Sequence, residues 1–169
     1  MEHCDECGFG YGELRDEDVP SALAVLGARY ARVLAGADRV RLTTRPQPAV
    51  WSALEYACHV RDVLLVQRDR VILALVEDNP GFARMYRDER AEITRYNEEQ
   101  PAEVGAHVEV AGALLARLFD GLSPEQLARP CIYNFPEPSE RDVAWLAHHA
   151  LHEGEHHLRD IEAALAAGG

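Results

Sequence analysis

The segment that decides the fold runs from Val143 to Leu165 and reads VAWLAHHALHEGEHHLRDIEAAL. Its apolar residues recur at helical spacing and predict an amphipathic helix over about residues 140–166. One face of that helix is apolar and consists of Val143, Leu146, Ala147, Ala150, Gly154, Leu158, Ile161 and Leu165. Such a face must pack against other elements, so the segment predicts the closing helix of a helical domain.

The polar residues of this helix include five of the chain's eight histidines. A helix turns by about 100° per residue, which places His157 about 40° and Glu153 about 80° from the centre of the apolar face. His152 and His156 lie about 180° and 140° away, and together with His148 they are expected to face solvent. Imidazole and carboxylate groups bind transition metals, so Glu153 and His157 are the predicted metal ligands of this helix.

The same letters also spell His-Glu-x-x-His, from His152 to His156, which is a zinc protease motif. Zincins need a third ligand downstream of that helix. His157 follows His156 directly on the same helix, and the twelve residues after His157 contain no His or Cys. The acids among them, Asp160 and Glu162, also lie on that helix. The sequence therefore disfavours a metalloprotease.

Composition limits the classes of function. The chain has 169 residues and a net charge of -12, so it has no electrostatic reason to bind nucleic acid, which requires neutralisation of phosphates. The longest clean apolar run, Val71 to Val76, is far too short to span a membrane. The acidic N-terminus resembles no secretory signal, and four scattered cysteines fit a reducing compartment, so the expected location is cytoplasmic.

The rest of the chain is also helical in pattern. Apolar periodicity predicts helices at residues 20–35, 52–77 and 101–119, a partly helical stretch at 84–100 and a short capped helix after Ser123. Residues 130–139 are rich in turn formers, and no stretch alternates convincingly at period two. The prediction is an all-α four-helix bundle at residues 18–167, preceded by a short non-helical N-terminal arm at residues 1–17.

The helix at residues 52–77 supplies the third predicted ligand. Its apolar face is defined by Trp51, Leu54, Cys58, Leu65, Ile72, Leu73 and Val76. His59 lies about 80° from the centre of that face, and Glu55 and Asp62 lie within about 40°. Buried carboxylates are costly unless paired or metal-bound, but Ser52-x-x-Glu55 is also a capping box. His59 is the predicted ligand, because metal sites in bundles draw side chains from facing helices.

The predicted core combines this helix with the closing helix. Its residues are Trp51, Leu54, Leu65, Ile72, Leu146 and Ile161. Three metal ligands would leave a fourth coordination position open, which is typical of catalytic zinc sites.

The arm carries Cys4-x-x-Cys7, which is half of a zinc motif. A structural zinc site needs four ligands, and the other cysteines, Cys58 and Cys131, are solitary. His3 is one candidate for a further ligand, and a partner chain is another source. A redox pair or plain surface thiols fit the pattern better.

Two segments resemble the DinB-like superfamily. Residues 51–59, WSALEYACH, are similar to its Trp-Ser-x-x-Glu-x-x-x-His segment, and the closing helix is similar to its metal-binding helix. Many members have His-x-x-x-His there, with an apolar residue four places after the second His. Ile161 holds that place relative to His157, so Glu153 takes the position of the first His. The mycothiol-dependent maleylpyruvate isomerase group similarly uses Glu-x-x-x-His followed by an acid and an aliphatic residue, as Asp160 and Ile161 stand here.

The resemblance covers roughly residues 20–165 and implies a four-helix bundle that holds a metal through three side chains. The ion would be divalent, with zinc first and nickel or another transition metal second. Other members carry His-Glu-x-x-His with both histidines as ligands, which leaves His152 and His156 as an alternative register. His149 lies between the two registers and is a candidate general base or outer partner of a ligand.

The resemblance also implies a class of reaction. The superfamily includes thiol-dependent transferases, so the leading expectation is a zinc-dependent thiol S-transferase whose partners are a small-molecule thiol and an electrophile. Tyr133, Asn134 and Phe135 are candidates for shaping the substrate pocket. The alternative is a non-catalytic, stress-associated or binding protein with a structural metal, and a metal-dependent hydrolase is a remote one. Homodimers are common among the proteins that the chain resembles.

Overall fold

The computed structural model of the chain describes residues 2–167, and most of them are helical. In chain order the elements are α1 (Val19–Ala35), α2 (Arg39–Thr43), α3 (Ala53–Val76), α4 (Arg87–Ile93), α5 (Pro101–Asp120), α6 (Pro124–Leu127), β1 (Pro130–Asn134), β2 (Pro138–Asp142) and α7 (Val143–Ala167). The helices α1, α3, α5 and α7 form the predicted four-helix bundle. Within residues 2–167, no helix combines the length and hydropathy needed to cross a bilayer.

The four long helices pack against one another pairwise, and α1 with α5 is the most extensive pair. α1 packs mainly against α5, and α3 packs against both α5 and α7. Glycines allow α1 and α5 to approach closely. A Cβ atom on Gly112 would lie 2.9 Å from the carbonyl oxygen of Leu23, and one on Gly27 would overlap the backbone of Glu109. These glycines therefore set the separation of the two helices.

α1 also contacts the closing helix α7 at a glycine. A Cβ atom on Gly154 would overlap the side chain of Leu26. The buried hydroxyl of Tyr30 donates a hydrogen bond to the carbonyl oxygen of Gly154 at 2.7 Å. The contact fixes α7 against α1 at the residue that follows Glu153.

Both predicted capping boxes are present. The Ser52 hydroxyl accepts from the backbone N–H of Glu55, and the Glu55 carboxylate accepts from the backbone N–H of Ser52 at 2.9 Å. Arg45 also donates from Nε to Glu55 at 2.8 Å. Ser123 and Gln126 form the same arrangement at the start of α6. Glu55 is thus fully engaged in starting α3.

The predicted core is partly wrong on α3. Four of its six residues are buried, namely Trp51, Leu54, Leu146 and Ile161. Leu65 and Ile72 are 42% and 36% exposed. α3 packs against two helices at once, so its buried positions spread around more of its circumference than a single apolar face predicts. The buried positions include Ala57, Val60, Leu64, Val71 and Ala74.

The turn-rich segment before α7 contains a small sheet that the sequence did not predict. β1 and β2 pair antiparallel, with Ile132 opposite Glu140. Only Cys131 and Tyr133 are buried along β1. Two buried residues are too few for an alternating pattern to stand out, so the expectation of no strand was wrong here. The hairpin places Tyr133 next to α7.

The N-terminal arm is a tight turn packed against α7. Cys4 N–H donates to the carbonyl oxygen of Phe9 at 2.9 Å, and Tyr11 N–H donates to that of Glu2 at 2.9 Å. The ring of Tyr11 stacks on Trp145 of α7, with centroids 5.7 Å apart and an interplanar angle of 8°. The arm therefore covers a face of α7 that was expected to meet solvent.

This cover corrects the prediction for the outer histidines of α7. His148 and His152 are only 5% and 9% exposed, and His156 is half-buried. His148 Nε2 also contacts the carboxylate of Asp16 at 2.7 Å. Helical angles measured from one apolar face predict burial on that face alone, whereas α7 is covered on two faces, by the bundle and by the arm.

Candidate metal centre

His59 of α3 meets Glu153 and His157 of α7 in the interior of the bundle. Each side chain offers one ligand atom, and these three atoms lie within 4.8 Å of one another. Nε2 of His59 and Nε2 of His157 lie 3.8 Å and 3.6 Å from the same oxygen of Glu153. The structure therefore brings together the three residues that the sequence predicted as ligands.

The surroundings of Glu153 suit a cation. Its ion-pair partners within residues 2–167 are four histidines and no arginine. His157 Nδ1 lies 2.7 Å from the carboxylate of Asp160, an outer contact that orients a metal-binding imidazole and leaves Nε2 to face the ion. A half-buried carboxylate among imidazoles, with one imidazole held by a second carboxylate, fits a transition metal.

The charges of the two ligand candidates on α7 stabilise each other. Burial alone would raise the pKa of Glu153, but hydrogen bonds from His157 and His59 outweigh burial and hold that pKa well below its ordinary value. Burial alone would lower the pKa of His157, yet Asp160 and Glu153 raise it to about 9. The carboxylate is therefore ionised at neutral pH, as a metal ligand must be.

His149, the predicted general base, lies next to this centre. Its Nδ1 contacts the hydroxyl of Tyr11 and its Nε2 contacts the hydroxyl of Tyr133, both at 2.9 Å. Its ring stacks on Trp145 with centroids 4.5 Å apart, and Nε2 is 3.9 Å from Glu153. Burial lowers the pKa of His149 to about 4, so the imidazole is neutral at neutral pH.

A cleft of about 700 Å³ opens beside the three ligand candidates. Five aromatic residues line it, namely Tyr11, Tyr86, Tyr133, Phe135 and Trp145. Four arginines line it as well, namely Arg70, Arg84, Arg87 and Arg141. The ligand atoms of the centre are thus reached from a cleft large enough for a small molecule.

Arg70 differs from an ordinary surface arginine. It is only 7% exposed, and it donates to the Tyr133 hydroxyl at 3.2 Å and to the Ala83 carbonyl oxygen at 2.7 Å. Within residues 2–167 no carboxylate forms an ion pair with it. A buried guanidinium without a counter-charge on a cleft wall can receive an anionic group.

Tyr133 and Phe135 line the cleft, as expected for residues that shape a substrate pocket. Asn134 does not join them, because its Nδ2 donates to the carbonyl oxygen of Phe82 at 2.9 Å. Alternation along β1 directs neighbouring side chains to opposite sides.

Asp62 lies apart from the three ligand candidates. It accepts hydrogen bonds from the Tyr96 hydroxyl at 2.7 Å and from Arg61 Nε at 2.8 Å. Its burial is therefore explained by hydrogen bonds and charge pairing.

The alternative register of α7 belongs to a different cluster. The ligand atoms of His152 and His156 lie within 4.8 Å of each other and of the sulfurs of Cys4 and Cys7. Sequence reasoning missed this combination. The sequence does contain a signal for it, because the Cys-x-x-Cys and His-x-x-x-His motifs together supply the four ligands of a structural zinc site.

Comparison with known proteins places the chain in a family. Residues 22–161 match the sequence profile of the DinB superfamily. The chain belongs to the DinB superfamily. It is 28% identical over 161 residues to BH0277 of Halalkalibacterium halodurans, a protein named by inference as a metal-dependent hydrolase, with 90% of each chain covered.

Solved structures of DinB-like proteins show the same fold. YfiT from Bacillus subtilis, described as a probable metal-dependent hydrolase with an unusual four-helix bundle topology, is similar with a TM-score of 0.82 and 14% identity, over 97% of this chain and 91% of YfiT. The mycothiol-dependent maleylpyruvate isomerase is similar with a TM-score of 0.70 and 15% identity, over 95% of this chain and 63% of the isomerase.

Proposed function

We propose that the chain is a metal-dependent enzyme that activates a low-molecular-weight thiol for attack on an electrophile. The metal is a divalent ion, zinc by preference, and His59, Glu153 and His157 are its ligands. The observation that carries the proposal is the convergence of these three ligand atoms within 4.8 Å beside an open cleft. Three protein ligands leave one position for a substrate atom, as in catalytic zinc sites.

A bound ion would supply Lewis acidity and lower the pKa of a thiol or water at that position. Glu153 adds the negative charge of the site, and Asp160 keeps the ring of His157 in the orientation that presents Nε2. His149 connects the hydroxyls of Tyr11 and Tyr133, so a proton lost in the cleft has a hydrogen-bonded route to an imidazole.

The arginines favour a substrate that carries a carboxylate. Arg70 is buried at the cleft wall with two neutral hydrogen-bond acceptors and no ion-pair partner within residues 2–167. Charge-assisted hydrogen bonds to such a group contribute about 1.5–3 kcal/mol. A thiol or an electrophile with a free carboxylate would provide the missing counter-charge.

Metal-dependent hydrolysis is the second candidate. It is favoured by the names of BH0277 and YfiT, both described as metal-dependent hydrolases by inference. The same three ligands would then activate water in place of a thiol. The two reactions differ in whether product formation requires an added thiol.

The test is an assay of the metal-replete protein with mycothiol, bacillithiol or glutathione and monochlorobimane as the electrophile. We expect turnover with at least one thiol, loss of that turnover in His59→Ala, and its loss on chelation. Hydrolysis of ester or amide substrates without any thiol would support the second candidate. No turnover with any substrate, together with unfolding on chelation, would instead indicate a structural metal.

The carboxylate preference is tested on the active thiol. Arg70→Met keeps the volume of the side chain and removes its charge, so we expect the KM for a carboxylate-bearing substrate to rise about tenfold or more. Arg68→Met on the same helix is the control, because Arg68 does not line the cleft. An equal KM in both variants would argue against a role for Arg70 in substrate binding.

A further inference from the structure

Four classical zinc-binding side chains meet where the N-terminal arm crosses α7. Cys4 and Cys7 come from the arm, and His152 and His156 come from successive turns of α7. One ligand atom from each lies within 4.8 Å of the other three. None of the four belongs to the candidate centre formed by His59, Glu153 and His157.

One distance within the cluster matches a tetrahedral zinc site. Cys4 Sγ lies 3.7 Å from His156 Nδ1. With Zn–S near 2.3 Å and Zn–N near 2.0–2.1 Å, a sulfur and a nitrogen on one tetrahedral zinc are separated by about 3.6 Å. The measured separation of these two atoms is therefore close to that of two ligands of one ion.

The imidazoles are oriented as metal ligands are. His152 Nδ1 contacts the Tyr11 hydroxyl at 3.0 Å, and His152 Nε2 is buried with no hydrogen-bond partner within residues 2–167. His156 uses Nδ1 towards Cys4, while its Nε2 lies 3.4 Å from Glu6. In each ring one nitrogen has an outer partner and the other is left for an ion, the usual pattern for metal-bound histidine.

The arm is shaped to present two sulfurs to one side. Gly8 N–H donates to the carbonyl oxygen of Cys4 at 2.8 Å, which closes a turn around the Cys-x-x-Cys segment. Gly8 has φ of +71°, a left-handed conformation that favours glycine. Arg159 of α7 donates to the carbonyl oxygen of Cys7. Cys7 itself is only 7% exposed, which does not fit a plain surface thiol.

We propose that Cys4, Cys7, His152 and His156 bind a second divalent ion, zinc by preference, in a closed four-ligand site. Four protein ligands fill a tetrahedral shell and leave no position for substrate, so this site is structural. Binding releases one proton from each cysteine thiol to solvent, and the two thiolates balance the charge of the ion. A disulfide between the cysteines would leave the buried Nε2 of His152 without a partner.

The second ion would stabilise the wall of the cleft. Tyr11 lies four residues after Cys7, lines the cleft and contacts His149 and His152. Fastening the arm to α7 fixes the position of that tyrosine. The four-ligand site therefore holds one wall of the cleft beside the candidate metal centre and takes no part in the chemistry of that centre.

Metal content of the reduced, zinc-replete full chain tests the proposal. We expect about two zinc ions per chain in the wild type and about one in the Cys4→Ser/Cys7→Ser variant. The His59→Ala/His157→Ala variant should keep the closed site and also retain about one ion. His3→Ala is the matched control, because His3 is an exposed histidine of the arm outside the cluster, and it should leave the zinc content unchanged.

Cobalt substitution identifies the ligands independently of activity. Co²⁺ bound to thiolates gives a sulfur-to-metal charge-transfer absorption in the near ultraviolet, and a tetrahedral site gives intense visible bands. We expect both in the wild type and in His59→Ala/His157→Ala, and loss of the charge-transfer band in Cys4→Ser/Cys7→Ser and its weakening in His152→Ala. A reduced wild type that shows no charge-transfer band, or that keeps its full zinc content when both cysteines are replaced, would overturn the proposal.

Discussion

The two ring nitrogens of His149 each contact a tyrosine hydroxyl, which decides how this residue can act. A neutral imidazole donates from one nitrogen and accepts at the other. It can therefore accept a proton only through Tyr11 or Tyr133, both of which line the cleft. The role we propose for His149 is that of a proton acceptor reached through a hydroxyl.

We expect His149→Gln to lower kcat of the thiol reaction by about 10²–10⁴-fold, the range typical of a lost general base. Glutamine keeps hydrogen-bonding capacity towards the tyrosines but cannot take up a proton. Zinc content should remain as in the wild type, since His149 is outside the three-ligand group. Full activity in His149→Gln would reduce His149 to a positioning role for the two tyrosines.

The three ligand candidates show how far sequence reasoning reaches at this scale. His59, Glu153 and His157 were placed on the correct sides of their helices, because the angle from an apolar face follows from the geometry of one helix. His148 and His152 were placed in solvent, but they are buried. Their cover comes from the arm, more than 130 residues away in sequence, and helical periodicity carries no information about such contacts.

At the scale of elements, the start of α3 depends on the carboxylate of Glu55, for which the sequence left open a capping role and a place in a polar site. Burial would raise the pKa of Glu55, but Arg45 and the groups of Ser52 outweigh it and lower that pKa below its ordinary value. A depressed pKa means that the interaction stabilises the folded state above the unfolded pKa of about 4.3 and is lost as pH falls through the folded value.

Glu55→Gln should therefore lower the free energy of unfolding at pH 7 by about 1–3 kcal/mol, because Arg45 loses its charged partner. The difference between wild type and variant should shrink as the pH falls below about 4. Urea unfolding at both pH values measures this. Glu103→Gln, an exposed acid in the first turn of α5, is the control and should change stability by no more than about 0.5 kcal/mol. A pH-independent difference would exclude the charge pair as the cause.

The long helices were predictable because each repeats an apolar spacing over four or more turns. The errors on α3 have a different origin. A single apolar face predicts Leu65 and Ile72 in the core, whereas the packing of α3 against both α5 and α7 buries Leu64 and Val71 instead. The strands escaped prediction because a five-residue strand holds too few alternations to separate it from a turn.

At the scale of the whole molecule, the separation of α1 and α5 depends on glycines, which place no side chain at the contact between the two helices. Gly27→Ala would by helix propensity alone stabilise α1 by up to about 1 kcal/mol. The added methyl group would overlap the backbone of Glu109, and overpacking of this kind costs about 1–3 kcal/mol. We expect a lower Tm in thermal unfolding followed by circular dichroism.

Gly121→Ala provides the comparison, because its nearest neighbouring atom, the Leu118 carbonyl oxygen, is 3.8 Å away. That variant should unfold near the wild-type temperature. If Gly27→Ala proved as stable as Gly121→Ala, the bundle would have to absorb a methyl group between α1 and α5 by a small shift of the helices.

The contact of Tyr30 with Gly154 bears on the rotation of α7 about its own axis. Rotation by about 100°, equivalent to one residue, would bring His156 to the azimuth now held by His157. The hydrogen bond from Tyr30 and the contact of Leu26 with Gly154 oppose such a rotation. Glu153 and His157 thus face α3, and His152 and His156 face the arm, because of α1, a helix that contributes no ligand to either cluster.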